Sequence, residues 1–277
     1  MDTFLLDPIL RRFLAEDLEH GDITTDAIFA ESDTAKAAFI ARHEMVAAGM
    51  ATVAARVFYL MDERIRCENA APDGCRAQKG AVLLEISGPT RGLLKAERTA
   101  LNLAQRLSGI ATRTAAFVEA VRGLNVAIVD TRKTTPGLRM LEKYAVRAGG
   151  GRNHRYGLSD GVLIKDNHIA ACGSIASAVR RARAAVPHTI GIEVETDSLA
   201  QVEECLREGV QIIMLDNMPP ALMREAVALI GGRALVEASG GVNLENVRAI
   251  AESGVDIISI GGLTHSAPAC DIGMDWR

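Results

Sequence analysis

A basic segment in the middle of the chain carries the residues best suited to chemistry. Residues 129–165 concentrate positive charge in a chain whose formal net charge is −4. Such a concentration indicates an anion site, and arginine in particular forms paired hydrogen bonds with carboxylate or phosphate. The alternative is that these cations form an exposed, solvated face. We disfavour it because the cations alternate with strand-ending residues and a Pro-Gly turn. The cations are Arg132, Lys133, Arg139, Lys143, Arg147, Arg152, Arg155 and Lys165.

Acidic residues follow at the ends of the next predicted strands. Residues two apart on a strand point to the same face. Inward carboxylates opposite Lys165 and Arg132 could bind a hydrated Mg²⁺ or ribose hydroxyls. A structural ion-pair network inside the sheet is the alternative. The pairs at this spacing are Glu193 with Glu195, Met214 with Asp216, and Glu237 with Ser239.

Two glycine-rich stretches follow the last two predicted strands, EASGGV at residues 237–242 and SIGGLTHS at residues 259–266. Glycine lets backbone N–H groups approach an anion closely, and the loops after the final strands of a (β/α) barrel often hold phosphate. We therefore expect a phosphate site there, with ordinary strand-to-helix turns as the alternative.

The two histidines near these segments, His154 and His168, could be metal ligands, acids or bases, or hydrogen-bonded wall residues. Neither has a Cys, His or Asp neighbour at the spacing of a zinc site, so we interpret both as wall residues. The sequence also lacks G-x-S-x-G, P-loop and Rossmann glycine motifs, which removes three common classes of enzyme.

The elements that must position these residues alternate from residue 126 onward. Helical spacing occupies residues 174–186, 198–209, 221–231 and 243–254. Repeated β-α units predict a parallel sheet, and polar ends on every strand favour a (β/α) barrel over an open sheet. Only six strands are evident, so closure into eight is not expected. The strands end at Asp130, Lys165, Glu195, Asp216, Ser239 and Gly261.

Length and composition allow a second domain. The chain has 277 residues, 48% of them hydrophobic, which suffices for one large α/β domain or two unequal ones. Residues 1–105 lack the β-α alternation and indicate a separate α+β domain. It holds a predicted helix at residues 7–18, strands at residues 34–49 and 80–88, and a helix at residues 47–62. A long helix at residues 93–123 leads into the barrel.

Composition also restricts partners and compartment. With 4% aromatic residues and a pI near 5.9, we expect no nucleic-acid partner. No apolar run or basic leader appears, so we expect no membrane partner and a cytoplasmic location. The five cysteines are odd in number and contain no C-x-x-C pair, which argues against disulfides and structural zinc.

Several strings together resemble the motif set of the quinolinate phosphoribosyltransferase family, and the resemblance covers nearly the whole chain. Members of this family join quinolinate to phosphoribosyl pyrophosphate (PRPP), release pyrophosphate and CO₂, and form nicotinate mononucleotide for NAD synthesis. The strings are EDLEHGDITTD, ERTALNLAQRLSGIAT, DTRKTTPGLRMLEKYAVRAGGGRNHRYGLSDGVLIKDNHI, IEVET, MLDNM, EASGG and SIGGLTHS.

The resemblance implies an α/β fold with an N-terminal α/β sandwich domain at residues 1–108 and an incomplete (β/α) barrel domain at residues 109–265. It implies a tail at residues 266–277 that returns to the first domain. It further implies a homodimer with an active site shared between subunits, Arg98 being the residue supplied across the interface. No organic cofactor is implied, only Mg²⁺.

The resemblance also implies roles for the site residues. Glu195 and Asp216 would hold the ribose hydroxyls and Mg²⁺, and together with Lys133 and Lys165 they would be the catalytic residues. Quinolinate and nearby phosphates would be held by Thr131, Arg132, Lys133, Arg139, His154, Arg155, Lys165 and His168. The 5′-phosphate would be held by Ser239, Gly240, Gly241, Ile260, Gly261 and Gly262.

Three alternatives remain open. Molybdenum-transport-associated homologues share the fold, but the intact His154-Arg155 pair and the KDNH string at residues 165–168 speak against them. A nicotinate-using phosphoribosyltransferase would need fewer cations, because its acceptor has one carboxylate. A non-catalytic sensor of phosphate ligands would leave the strand-end acids unexplained.

Overall fold

Two sheets with different strand directions organise the chain, which the computed structural model describes from residue 1 to residue 277. The first unit comprises residues 1–113, 148–150 and 267–277, and the second comprises residues 114–147 and 151–266. The division falls at residues 113 and 114, inside a long helix, where the sequence placed it at residues 108 and 109. No helix is both long enough and apolar enough to cross a membrane.

The first unit contains an antiparallel sheet in the order β12-β1-β5-β3. Its carboxyl-terminal strand β12 pairs with β1, from Ala37 opposite Trp276 to Ala41 opposite Ile272. The tail therefore belongs to this sheet. The strands are β1 (Thr34–Ala41), β2 (Met45–Val46), β3 (Arg66–Glu68), β4 (Arg76–Ala77), β5 (Val82–Pro89) and β12 (Ile272–Trp276); the helices are α1 (Thr3–Asp17), α2 (Ile23–Ile28), α3 (Ala55–Met61) and α4 (Thr90–Ala120).

The first predicted helix begins earlier than expected, because the Asp2 side chain caps it by accepting the N–H of Phe4. The predicted helix at residues 47–62 is divided into a π-helical segment, Met50–Ala54, and α3. The core here is apolar, with the rings of Phe39 and Phe58 5.9 Å apart in an edge-on arrangement.

The second unit contains six parallel strands in the order β6-β11-β10-β9-β8-β7. The end strands β6 and β7 do not pair with each other, and Arg152 forms an isolated parallel bridge beside β6 at Val129. The incomplete barrel is thus confirmed. The strands are β6 (Ala127–Val129), β7 (Val162–Ile164), β8 (Ile192–Thr196), β9 (Ile212–Asp216), β10 (Leu235–Ser239) and β11 (Ile257–Ser259).

Three of the four predicted barrel helices are confirmed as α7, α8 and α9. The fourth, α10, is shorter than predicted, because the Asn243 side chain accepts the N–H groups of Glu245 and Asn246 in a turn that delays the helix. The helices are α5 (Arg139–Ala148), α6 (Asp166–Cys172), α7 (Ile175–Ala185), α8 (Leu199–Arg207), α9 (Pro220–Ile230), α10 (Val247–Ala251) and α11 (Gly262–His265).

Helix α5 corrects the interpretation of the basic segment. Arg139, Lys143 and Arg147 are four residues apart, and all lie on this helix, so their spacing is helical after all. They are nevertheless not one solvated face, because Lys143 is completely buried while Arg147 is exposed.

Candidate active site

A cavity of about 560 Å³ lies at the carboxyl ends of the parallel strands. Because all six strands run the same way, the residues that end them meet at this edge. Eleven of the predicted site residues line the cavity: Thr131, Arg132, Lys133, His154, Arg155, Lys165, Glu195, Asp216, Ser239, Gly240 and Gly241.

The segment after β6 forms one wall. The N–H of Lys133 donates to Thr131 Oγ1 at 3.0 Å, and its carbonyl accepts the hydroxyl of Thr264 at 2.8 Å. A Cβ atom at Gly261 would come within 2.8 Å of Lys133 Cδ. Gly261 therefore leaves room for the Lys133 side chain, and its predicted contact with phosphate stays a prediction.

Two arginines add to this wall. The Arg155 guanidinium donates through Nη1 to the carbonyl of Gly161 at 2.8 Å. Burial and the nearby charge of Arg132 lower the pKa of Arg155 from its usual value, although a guanidinium stays charged. Arg132 and Arg155 repel each other, so an anion bound between or beside them stabilises both charges.

The opposite wall is acidic. Glu195 Oε2 accepts a hydrogen bond from Lys165 Nζ at 2.6 Å, and the amide of Asn217 donates to Asp216 Oδ2 at 2.7 Å. Burial and the nearby Glu195 charge raise the pKa of Asp216. Carboxylate oxygens of this kind are the donors that a hard divalent cation such as Mg²⁺ prefers.

A glycine turn follows β10. Gly240 and Gly241 both have positive φ, +91° and +61°, which side chains rarely adopt. A Cβ atom at Gly240 would also collide with the Asn217 side chain. The backbone of this turn lines the cavity beside Ser239, as expected of a loop that approaches an anion closely.

Beneath the cavity lies a cluster that the sequence reasoning missed. His154 Nε2 is 3.2 Å from Glu193 Oε2 and 3.5 Å from Glu237 Oε1, and both carboxylates are buried. We interpreted His154 as a hydrogen-bonded wall residue, and its two glutamate neighbours lie too far away in the sequence for ligand spacing to indicate them. The signal available was the spacing of two, which puts Glu193 and Glu237 one layer below Glu195 and Ser239.

The ring of His154 is held from both sides. Its Nδ1 accepts the backbone N–H of Arg155 at 2.7 Å, which leaves the ring proton on Nε2, the nitrogen that faces the carboxylates. Burial is the main influence that raises the pKa of Glu193.

The remaining predicted site residues do not line the cavity. Arg139 donates to Thr134 Oγ1 and to the carbonyls of Tyr156 and Arg132, so it braces the wall from behind. The Nδ1 atom of His168 accepts the backbone N–H of Lys165 at 2.9 Å. The residues outside the cavity lining are Arg98, Arg139, His168, Ile260, Gly261 and Gly262.

Four further lining residues were not predicted as site residues, although Met214 was predicted to face the same way as Asp216: Leu163, Met214, Asn217 and Ser259. Asn217 follows the last residue of β9 and has a φ of +54°. Asparagine directly after a strand-ending aspartate was the available signal, since asparagine tolerates this backbone region better than most residues.

A fully buried ion pair fixes the basic segment. Lys143 Nζ donates to Asp130 Oδ1 and to the carbonyl of His154, the latter at 3.0 Å. Asp130 also accepts the N–H of His154 at 3.0 Å and the amide of Asn153 at 2.5 Å. Burial raises the pKa of Asp130 and lowers the pKa of Lys143. The main influence against the first shift is Lys143, and the main influence against the second is Asp130.

Comparison with known proteins places this architecture in a family. Residues 22–108 match the family described as quinolinate phosphoribosyl transferase, N-terminal domain. Residues 110–275 match the C-terminal domain of the same description. The chain belongs to the quinolinate phosphoribosyltransferase family.

Relatives resemble the chain over nearly its full length. A protein of Mycobacterium leprae named nicotinate-nucleotide pyrophosphorylase [carboxylating] is 48% identical over 273 residues, covering 96% of this chain and 95% of its own. The crystal structure of NadC from Streptococcus pyogenes has a TM-score of 0.95 at 45% identity, with 100% and 99% coverage. That of nicotinate-nucleotide pyrophosphorylase from Ehrlichia chaffeensis has a TM-score of 0.92 at 43% identity, with 98% of each chain covered.

Replacing Lys143 by Met should leave the Asp130 carboxylate buried without its counter-charge. We expect a loss of about 3 to 5 kcal/mol in the free energy of unfolding, measured in urea. Arg147→Met, one turn later on the same helix and exposed, is the control and should change stability little. A loss for Lys143→Met no larger than for Arg147→Met would show that the pair does not fix this segment.

Proposed function

We infer that the chain transfers the phosphoribosyl group of PRPP to quinolinate with decarboxylation, forming nicotinate mononucleotide, pyrophosphate and CO₂ in NAD biosynthesis. Family membership and the names of the relatives support this inference. The observation that carries it is one cavity that is lined by both cations and carboxylates. A diacid and a polyphosphate both need such cations, and a ribose needs the carboxylates.

The charges that develop in the reaction are complementary to the cations and carboxylates of the cavity. The pyridine nitrogen attacks the anomeric carbon as pyrophosphate leaves, so positive charge grows on the sugar and negative charge on the leaving group. Glu195 and Asp216 stabilise the positive charge on the sugar, and the cations stabilise the negative charge on pyrophosphate. Holding both reactants in one cavity removes up to about 7 to 11 kcal/mol of the barrier.

Decarboxylation follows from the new bond to the ribose. Once the pyridine nitrogen is quaternary, it stabilises the carbanion left when the adjacent carboxylate departs as CO₂, and a proton from water then completes nicotinate mononucleotide. Arg132, Lys133 and Arg155 supply donors for the carboxylates of quinolinate. We assign the glycine turn at Gly240 and Gly241 to the 5′-phosphate, because its backbone lies at the strand ends where phosphate sits in barrels.

We propose Glu195 and Asp216 as the residues that hold Mg²⁺. Both carboxylates line the cavity, and Mg²⁺ is commonly bound by one or two carboxylates, with substrate phosphates and water as its other ligands. When bound, Mg²⁺ neutralises charge on the pyrophosphate. Lys165, paired with Glu195, orients that carboxylate.

Nicotinate is the competing acceptor. It has one carboxylate, so it would leave part of the cationic wall without a partner. Arg132, Lys133, Arg155 and Lys165 all line the cavity, and this number favours the diacid.

Purified protein given quinolinate, PRPP and Mg²⁺ should form nicotinate mononucleotide, detected by chromatography together with released CO₂. Nicotinate in place of quinolinate should give little or no product. Turnover of nicotinate without turnover of quinolinate would transfer the assignment to the competing class.

Removing charge from the acidic wall should slow catalysis without unfolding the protein. We expect Glu195→Gln and Asp216→Asn to lower kcat by about 10² to 10³, with small changes in Tm. Glu203→Gln, on the exposed side of α8, is the matched control and should keep normal kcat. A large fall in Tm with a modest fall in kcat would favour a structural ion-pair network instead.

We also propose that the active form is a homodimer with shared sites. Arg98 is exposed on α4 in the first unit and does not line the cavity of its own chain, which suits a residue offered to a partner. Isologous pairing would complete two equivalent sites.

Mixing Arg98→Ala and Lys133→Ala proteins, each inactive alone, should restore activity. In a heterodimer one site carries both changes and the other carries neither, so a statistical mixture should reach about one quarter of wild-type activity. Subunit exchange is verified by mass spectrometry of differently tagged chains. An inactive verified heterodimer would argue against shared sites.

We place this reaction in the cytoplasm. All five cysteines are free thiols, and the two with pKa values raised by burial to about 12, Cys67 and Cys205, are poor nucleophiles. Unpaired cysteines of this kind suit a reducing compartment.

A further inference from the structure

We propose that Glu193 and Glu237 are positioning residues for the acceptor half of the site: together they hold the Nε2–H of His154, and through its ring they fix Arg155. This rests on the proposed function, since it concerns the same cavity. Neither carboxylate lines the cavity, so neither is expected to touch a substrate.

The two acids converge on one atom from separate strands. Glu193 lies on β8 and Glu237 on β10, with β9 between them. Their side chains are 5% and 3% exposed, and the His154 side chain between them is 15% exposed. Glu193 Oε1 and Glu237 Oε1 are both buried with no hydrogen-bond partner, and Glu193 Oε2 is the nearer of the two contacts to His154 Nε2. Burying two carboxylates is costly, and the contacts with His154 are what offsets the cost.

The other side of the ring transmits this contact. With its proton held on Nε2, the imidazole has a lone pair at Nδ1, and that atom accepts the Arg155 N–H at 2.7 Å. The opposite tautomer would place a proton against that N–H. The carboxylates therefore select the tautomer, and the tautomer fixes the backbone of Arg155.

Arg155 is then held at both ends. Its N–H is bound to His154, and its guanidinium donates to the carbonyl of Gly161 at 2.8 Å. Its remaining donors are available to the cavity that it lines. Both nitrogens of His154 are engaged by the protein, so the ring serves as a fixed wall and the acceptor is gripped by Arg155.

Glu193→Ala and Glu237→Ala should raise KM for quinolinate about tenfold or more, because each leaves the buried Nε2–H short of an acceptor. KM for PRPP and kcat should change by no more than about twofold, since the ribose and phosphate residues are untouched. Glu193→Gln and Glu237→Gln keep an acceptor oxygen and should recover most of the quinolinate KM.

The tautomer gives an independent measurement. In ¹⁵N-histidine protein, the His154 signals, assigned by their loss in His154→Phe, should show protonation at Nε2 and not at Nδ1. The alanine variants should show a mixture of tautomers, and the glutamine variants should restore the single form.

Val236→Ala is the matched control. Val236 is buried beside Glu237 on the opposite face of β10, so its loss weakens packing without touching His154. If the glutamate variants only lower Tm as Val236→Ala does, with unchanged quinolinate KM and tautomer, the positioning role is wrong. If wild-type protein does not turn over quinolinate, the proposed function fails, and the tautomer spectra alone decide whether the carboxylates hold the ring.

Discussion

The site depends on the buried ion pair between Asp130 and Lys143. Both side chains are completely excluded from solvent, and a single charge in that position would be several kcal/mol less stable than in water. Each therefore requires the other. Because Asp130 also receives the backbone N–H of His154, the pair joins the end of β6, the middle of α5 and the segment before β7. All the cations of the basic segment except Lys165 are carried on these three pieces.

Strand alternation turns this frame into two layers. Residues two apart share a face, so the residue that lines the cavity has an equivalent one step deeper. Glu195 and Ser239 reach the cavity, while Glu193 and Glu237 lie below and meet His154. The same strands thus supply both the residues that contact the reactants and the deeper residues that position those contacts.

Much of the site was predictable from the sequence, because the carboxyl end of a parallel strand is a local feature. Strand-ending residues such as Lys165, Glu195 and Asp216 were placed correctly in one cavity. What escaped prediction is non-local. The grouping of His154 with two glutamates depends on strand order, and the burial of Lys143 depends on an aspartate 13 residues away. The room that Gly261 leaves for the Lys133 side chain is also a non-local feature, since the two residues are far apart in the sequence.

The pairing of β12 with β1 has a consequence for synthesis of the chain. Strand β1 receives its outer neighbour only after residues 272–276 have left the ribosome. Until then that edge exposes unpaired backbone groups, which invites association with other nascent chains. The parallel sheet has all of its strands by residue 259, so it can fold before the antiparallel sheet is complete.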